Sequence, residues 1–452
     1  MKRILSRTAL AAAGVVISVL MVFVIVNHGH RLISAGQGPP GEGIAMPEPP
    51  LPGDDAFLTM SGLAGRIDKK LVGRDCVGNK PPFRLDPDCF AFLKTQAGAL
   101  KALDKWVAAS SPYKLERPAH LGRHSRFPLP GTLSDSTRFL ESHDFRRFKA
   151  LATLLALRSL VGLSAGDVAS AERDLRIIFL LGAFLQQNPP LIAEMIGIQV
   201  HGIGLMVIVQ HVRPAAVREG LETMLPASES IRDGMRMAIG AEWIIGQDSI
   251  KQLGPAPSLY EQAGPLEIVL GRSLPWFTYM PPSVIRALGL YDRDHSLRLA
   301  AAASRTAQND LVRGTIASSF RDLAPGACDW KAMGPIKWIH NPVGRWWTCM
   351  FQPMWPEMNA RVGQAIDQVE ATRVVLAARR FWLRHRRWPT RESDLVPAYL
   401  SEWPKSALDG QPLSWMGNKA GVQIHARDGK SPCQAGDFCA FPFEPPWPVG
   451  KH

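Results

Sequence analysis

The sequence lacks several short motifs that would announce a chemistry. It has no C-x2-C pair, which removes the usual zinc-clamp spacing, and no HExxH, which removes the helical zinc-protease pattern. Ser111-Pro112-Tyr113-Lys114 matches S-x-x-K, but neither S-D-N nor K-T-G accompanies it. No charge of either sign interrupts residues 8–26. No A-x-A-like site follows that run closely, and no cysteine sits where a lipoprotein signal needs one.

What stands in their place is a basic N-terminus ahead of an apolar run. Lys2, Arg3 and Arg7 precede nineteen almost wholly apolar residues, 8–26. As a helix the run rises about 28 Å, close to the ~30 Å hydrocarbon core of a bilayer. Cations before it place the N-terminus in the cytoplasm and everything after it across the membrane. A cleaved signal peptide is the alternative, although its apolar core typically spans only about 7–15 residues. Ile33-Ser34-Ala35 is the nearest weak cleavage site. The length favours an uncleaved signal anchor in a bacterial inner membrane, with the bulk of the chain periplasmic. The cysteines agree with export. Cys76 and Cys89, Cys328 and Cys349, and Cys433 and Cys439 are neighbouring pairs, suited to local disulfides in an oxidising compartment. About fifteen connectivities are formally open to six cysteines, and proximity alone suggests these three.

Lys and Arg outnumber Asp and Glu by 52 to 40, a formal charge of +12, which favours contact with anionic surfaces. A chain of 452 residues leads us to expect two folded units. Residues 1–35 read as a cytoplasmic stub and transmembrane anchor, and 36–55 as a semi-extended Pro/Gly-rich linker. Residues 56–356 read as a helical periplasmic domain, and 357–452 as a C-terminal helix with a small β unit. Helical patterns cover 88–108, 144–162, 166–187, 191–211, 227–252, 294–322 and 357–387. Short turns between them predict antiparallel helical hairpins. Ser164 with Asp167 three residues on fits a capping box that opens the third of these helices, and Asn188-Pro189-Pro190 stops it. "PLSWM", "GVQIHA" and "DFCAFPF" read as short strands in the tail. The expected fold is mainly α, an antiparallel helical-hairpin body after an N-terminal transmembrane helix, with a small α+β C-terminal unit.

Residues 191–211, "LIAEMIGIQVHGIGLMVIVQH", admit three readings: a second membrane span, a catalytic helix, or the buried spine of a soluble body. A span would put Gln199 and His201 near mid-bilayer, where polar groups are expensive. The preceding helix carries Asp167, Glu172, Arg173, Asp174 and Arg176 and cannot be its partner span. The catalytic reading rests on the stripe Glu194, Gly197, His201, Gly204 and His211. Glu194 and His201 lie about 10.5 Å apart along the axis, so each needs a partner from another helix, such as Glu242. The Glu-x-x-His pattern of metal bundles is missing, and no metal or other cofactor is expected. Gly197 and Gly204 on one face point to close approach of a neighbouring helix. The buried spine, with its polar groups hydrogen-bonded, is therefore preferred.

Weaker matches fall to plainer explanations. Gly162-Leu163-Ser164-Ala165-Gly166 matches G-x-S-x-G, but a nucleophile elbow needs a strand before the serine, and a helix precedes it here. His120 and His124 sit in a Pro- and Gly-containing stretch without an obvious third ligand. The five tryptophans between Cys328 and Trp355 suit a disulfide-closed loop that packs its own aromatics. The strongest charge feature is "RRFWLRHRRWPTR", 379–391, six arginines with three aromatics. Arg379, Arg380, Arg384, Arg386, Arg387, Trp388 and Arg391 form the candidate binding patch, suited to a carboxylate- or phosphate-rich polymer. An amphipathic helix end with its aromatics in the core is the competing reading.

Residues 377–415 resemble the helix-to-strand passage of type II secretion pseudopilins. The matching residues are Trp388, Pro389, Leu395, Pro397, Tyr399, Leu400, Asp409, Gly410 and Pro412. Arg386 stands where that pattern usually has a helix-ending glycine, and the prepilin-peptidase site of true pseudopilins is missing from the N-terminus. Across "LLALRSLVGLSAGDVASAERDL", "NPPLIAEMIGIQVHGI" and "NPVGR" the chain is similar to bacterial membrane-anchored helical proteins that end in the same kind of tail and carry no assigned activity. The resemblance implies an envelope protein with a pseudopilin-like end. The function expected is binding or scaffolding at the periplasmic membrane surface, towards envelope proteins or an anionic envelope polymer, with nucleic acid not expected. The competing function is a helical hydrolase or metal-dependent enzyme using Glu194 and His201.

Overall fold

The segment Leu191–His211 is mostly apolar and has no broad polar face to give to water as a helix. In the computed structural model it is surrounded instead. The structure describes residues 41–45, 62–67, 93–109, 146–186, 191–211, 219–252, 281–288, 291–312, 343–345, 354–418 and 421–425, with Met21, Ala91 and Asn341. The helices are α1 (Ala97–Ala109), α2 (Arg146–Ser164), α3 (Val168–Gln186), α4 (Leu191–His211), α5 (Glu219–Thr223), α6 (Ser228–Gln252), α7 (Pro282–Ala287), α8 (Arg293–Val312) and α9 (Met354–His385). An antiparallel ribbon of β1 (Ser414–Asn418) and β2 (Gly421–His425) follows, with Ser414 opposite His425 and Asn418 opposite Gly421. The described chain is mainly helical.

Helix α4 packs against α2, α3, α6 and α9. Along α3 and α4, Gln186 meets Glu194 and Phe179 meets His201, so the two helices run in opposite senses. Leu154, Leu155, Ile178, Val207 and Ile208 are fully buried in the resulting core. Each such side chain stabilises the fold by about 1.5–3 kcal/mol relative to exposure. Arg158, in the apolar second half of α2, reaches out of this core and ties three helices together. Its guanidinium donates to Asp174 on α3 and to both carboxylate oxygens of Asp104 on α1, at 2.7–2.8 Å. Helix α9 then joins two cores. Trp355, Val362, Ile366 and Val369 belong to the main one, while Val374, Val375 and Phe381 pack with Val209, Leu395, Leu400 and Leu413. The boundary expected at 356/357 is therefore crossed by a continuous helix.

Two local expectations are corrected. Helix α3 is capped by Asp167 rather than by Ser164: the Ser170 N–H donates to Asp167 Oδ1 at 3.1 Å. The reason lies one residue earlier, where Gly166 takes φ +79 and closes α2 with an Asp167 N–H to Gly162 O bond of 2.8 Å. Ser164 is the last residue of α2, exposed, with its hydroxyl on Val161 O, so no nucleophile elbow exists there. The linker is likewise not wholly a free tether. Ile44 is buried, Gln308 of α8 pairs with both the N–H and the carbonyl of Ala45, and Arg305 donates to Glu42 O. The anchor 8–26 apart from Met21, all six cysteines, Ser111–Lys114, His120, His124 and most of the tryptophan-rich stretch lie outside the described residues.

Candidate functional site

The part of the α4 stripe from Glu194 to Gly204 faces α3. Gly197 and Gly204 let the two helices meet: a Cβ on Gly197 would sit 2.8 Å from the Gly182 carbonyl, and one on Gly204 would sit 2.9 Å from Phe179. Gly182 opens a matching notch in α3 that the His201 ring fills, 2.1 Å from where a Cβ would be. His201 Nε2 lies 3.0 Å from Phe179 O. A carbonyl can only accept, so Nε2 carries the proton and Nδ1 is bare. Glu194 Oε1 accepts from Gln186 Nε2 at 3.1 Å. Glu194 Oε2 and His201 Nδ1 have no hydrogen-bond partner among the described residues, so polar satisfaction extends to one atom of each. Burial pushes Glu194 well above the ordinary carboxylate range, against the pull of its Gln186 bond. Burial also pulls His201 down to about 4, against the Phe179 bond. At neutral pH the His201 imidazole is uncharged, and the same burial favours the uncharged form of Glu194.

Glu242 does not join them. From α6 its Oε1 accepts the Leu191 N–H at 3.2 Å, capping the first turn of α4. Burial raises its pKa, and the Leu191 bond opposes that shift. The opposite end of α4 is held by another predicted site residue. Arg379 of α9 is 4% exposed and donates to the carbonyls of Ile208 and Val209. Burial pulls it down to about 9, which leaves it cationic at neutral pH and matched to the negative end of the helix dipole. Arg379 is thus removed from the surface patch: the last α4 carbonyls, orphaned by geometry, claim it. Among the described residues no three His, Cys, Asp or Glu side chains are grouped to hold a metal ion. Leu191–Val209 is the one described helix long and apolar enough to cross a membrane. Its ionisable groups nevertheless lie inside the protein, with Glu194 0% and His201 2% exposed.

The rest of the arginine patch divides. Arg380 donates to Glu222 at 2.7 Å and to Tyr399 O at 3.1 Å, so it serves the fold. Arg384, Arg386, Arg387 and Arg391 are exposed, beside a Trp382–Trp388 pair with ring centroids 6.2 Å apart. Arg386 lies over Trp382 and Arg387 over Phe381, at 5.3 and 4.8 Å. Asp394 faces Arg387 and Arg391 at 3.5 and 3.8 Å, but it already accepts the Thr390 and Arg391 N–H groups. Arg386 takes φ 54 and its N–H bonds Trp382 O at 2.7 Å, so it ends α9 in the left-handed conformation that glycine favours. Trp388 itself is half-buried.

Sequence reasoning missed the residue that docks the tail. Asp367, on α9, accepts from Ser406 Oγ and from the Ala407 N–H, each at 2.6 Å. Burial pushes it up to about 6, opposed by both bonds. Next to it the chain turns at Asp409-Gly410, with Gly410 at φ +71 and Asp409 Oδ1 accepting the Gln411 N–H at 2.9 Å. Nothing near Asp367 in sequence marks it, because its partners lie about forty residues on. No protein-family model, no curated protein and no solved structure matches the chain.

Proposed function

We propose that the protein is a single-pass scaffold of a bacterial envelope, anchored in the inner membrane by residues 8–26 with its N-terminus cytoplasmic and its body and tail periplasmic. Its C-terminal part is a small pseudopilin-like α+β unit. It captures an acidic partner protein or an anionic envelope polymer through Arg384, Arg386, Arg387 and Arg391. The observation that carries this reading is the exposure of these four arginines at and just beyond the end of α9, with Arg386 over Trp382, Arg387 over Phe381, and Asp394 close to Arg387 and Arg391. Guanidinium groups held over aromatic faces remain able to bind carboxylate or phosphate edge-on. The left-handed turn at Arg386 and the Asp409-Gly410 turn support the pseudopilin resemblance, since both fall where that pattern wants glycine-like backbone.

The test is crosslinking of the intact protein in its native membrane. A defined partner, captured by the wild type and lost with Arg384→Glu plus Arg387→Glu, is the expected result. Equal capture by the charge-reversed protein would sink the proposal. A second reading, a hydrolase or metal enzyme on Glu194 and His201, draws on their unpartnered atoms Oε2 and Nδ1. It expects metal in the purified protein that is lost in His201→Ala. A folded protein that neither contains nor takes up metal would remove the metal-dependent form of this reading.

A further inference from the structure

A cleft of about 480 Å³ opens where the tail segment 399–405 meets α6 and α9. That volume lies within the ~300–1,000 Å³ typical of small-molecule sites. Its walls carry three cations and three carboxylates, and half of these six are already engaged with other side chains or the backbone. Glu370 accepts from Ser228 Oγ at 2.5 Å and from Arg373 at 3.3 Å, and Arg373 also donates to Pro226 O. Glu222 is taken by Arg380.

Arg232 is not engaged in this way. Its Nε is buried without an acceptor. Arg147, Arg236 and Arg380 share that fate at Nε, yet each places another guanidinium nitrogen on an acceptor: Gly65 O, Asp233, and Glu222 with Tyr399 O. Arg232 has no bonded acceptor among the described residues, and it lines the cleft. A guanidinium with a desolvated donor and no acceptor is destabilised until an acceptor arrives. Lys405 and Glu402, both exposed on the rim, add one side chain of each sign without an ion pair among the described residues.

We propose that this cleft binds the free carboxylate end of a short peptide. The carboxylate meets Arg232 and Lys405, and the peptide N–H groups meet Glu402. A phosphate dianion suits the cleft less, because Glu222, Glu370 and Glu402 surround the cations and repel a second negative charge. A carboxylate carries a single charge and a planar edge that fits a guanidinium fork. Because the walls come from both the body and the tail, an occupant would also hold the two together.

Thermal unfolding and titration calorimetry of the full-length protein in detergent test this, with trialanine, trialanine C-terminal amide and sodium phosphate as probes at equal ionic strength. Trialanine is expected to bind saturably and raise Tm, and the amide to do neither. Arg232→Ala is expected to weaken trialanine binding by about tenfold or more, the loss of one charge-assisted contact. Lys405→Glu, at an exposed position, repeats the test if Arg232→Ala does not fold. Arg384→Glu plus Arg387→Glu should leave peptide binding unchanged, which separates this site from the arginine ridge. The proposal is overturned if trialanine fails to bind, if the amide or phosphate binds as well, or if folded Arg232→Ala binds like the wild type.

Discussion

At the scale of single residues, Arg386 and His201 each carry a cost that a substitution can expose. A left-handed backbone costs an L-residue roughly 1–2 kcal/mol, while glycine adds about 0.4–1 kcal/mol of freedom to the unfolded chain. With Arg386 at φ 54, Arg386→Gly is expected to raise stability in urea by about 0.5–1 kcal/mol. Destabilisation instead would mean that the stacking on Trp382 outweighs the backbone term. His201 makes stability depend on pH. Its folded pKa, about 4, lies below the ordinary value of 6.5, so the unfolded chain binds more protons between those two values. The wild type should therefore lose stability as pH falls from 6.5 towards 4, by about 3 kcal/mol at most from this residue. His201→Gln should lack that slope. Identical pH profiles for the two proteins would contradict the buried neutral imidazole.

At the scale of elements, the seam between α3 and α4 tolerates no added volume. A Cβ at Gly197 meets Gly182 O and Gln186, and backbone cannot retreat as a side-chain tip can. Gly197→Ala should cost about 1–3 kcal/mol in urea unfolding. Gly246, on α6 with open space around it, provides the contrast: Gly246→Ala should gain up to about 1 kcal/mol. Equal effects at the two sites would show that helix propensity, not contact, governs the seam. The tail answers to Asp367. Its folded pKa of about 6 exceeds the ordinary 3.8, so the folded state holds more protons in that window, and the contribution of Asp367 declines as pH rises through it. Hydrogen exchange at residues 401–413 should accelerate from pH 4 to 6 beyond the intrinsic rate in the wild type, and lose that excess in Asp367→Asn. Periodicity made helices such as 191–211 and 357–387 legible, because apolar spacing survives in sequence. It did not reveal which polar residues serve helix ends. Glu242 and Arg379 looked like site residues because their partners, the terminal groups of α4, are backbone atoms that carry no sequence signature. Asp167 displaced Ser164 as a cap for a similar reason, since the deciding event was the φ of Gly166.

At the scale of the whole molecule, α9 makes the body and the tail one structural argument: its first half lies in one core, its second in another, and Asp367 pins the returning chain. The docked residues 41–45 bind the segment that follows the apolar N-terminal run to α8. In a chain exported behind that run, α4 must first pass through the membrane unfolded. A segment of this length and apolarity is what a translocation channel releases sideways into lipid, halting transport and leaving everything after it on the wrong side. Glu194, Gln199 and His201 raise the free energy of that release. On the proposed topology, Glu194→Leu with His201→Leu should therefore leave a reporter fused after residue 252 partly in the cytoplasm, and the wild-type fusion should be fully exported. Full export of the double leucine protein would contradict this. The side chains that burden the folded core are, on this account, what lets the nascent chain finish its journey.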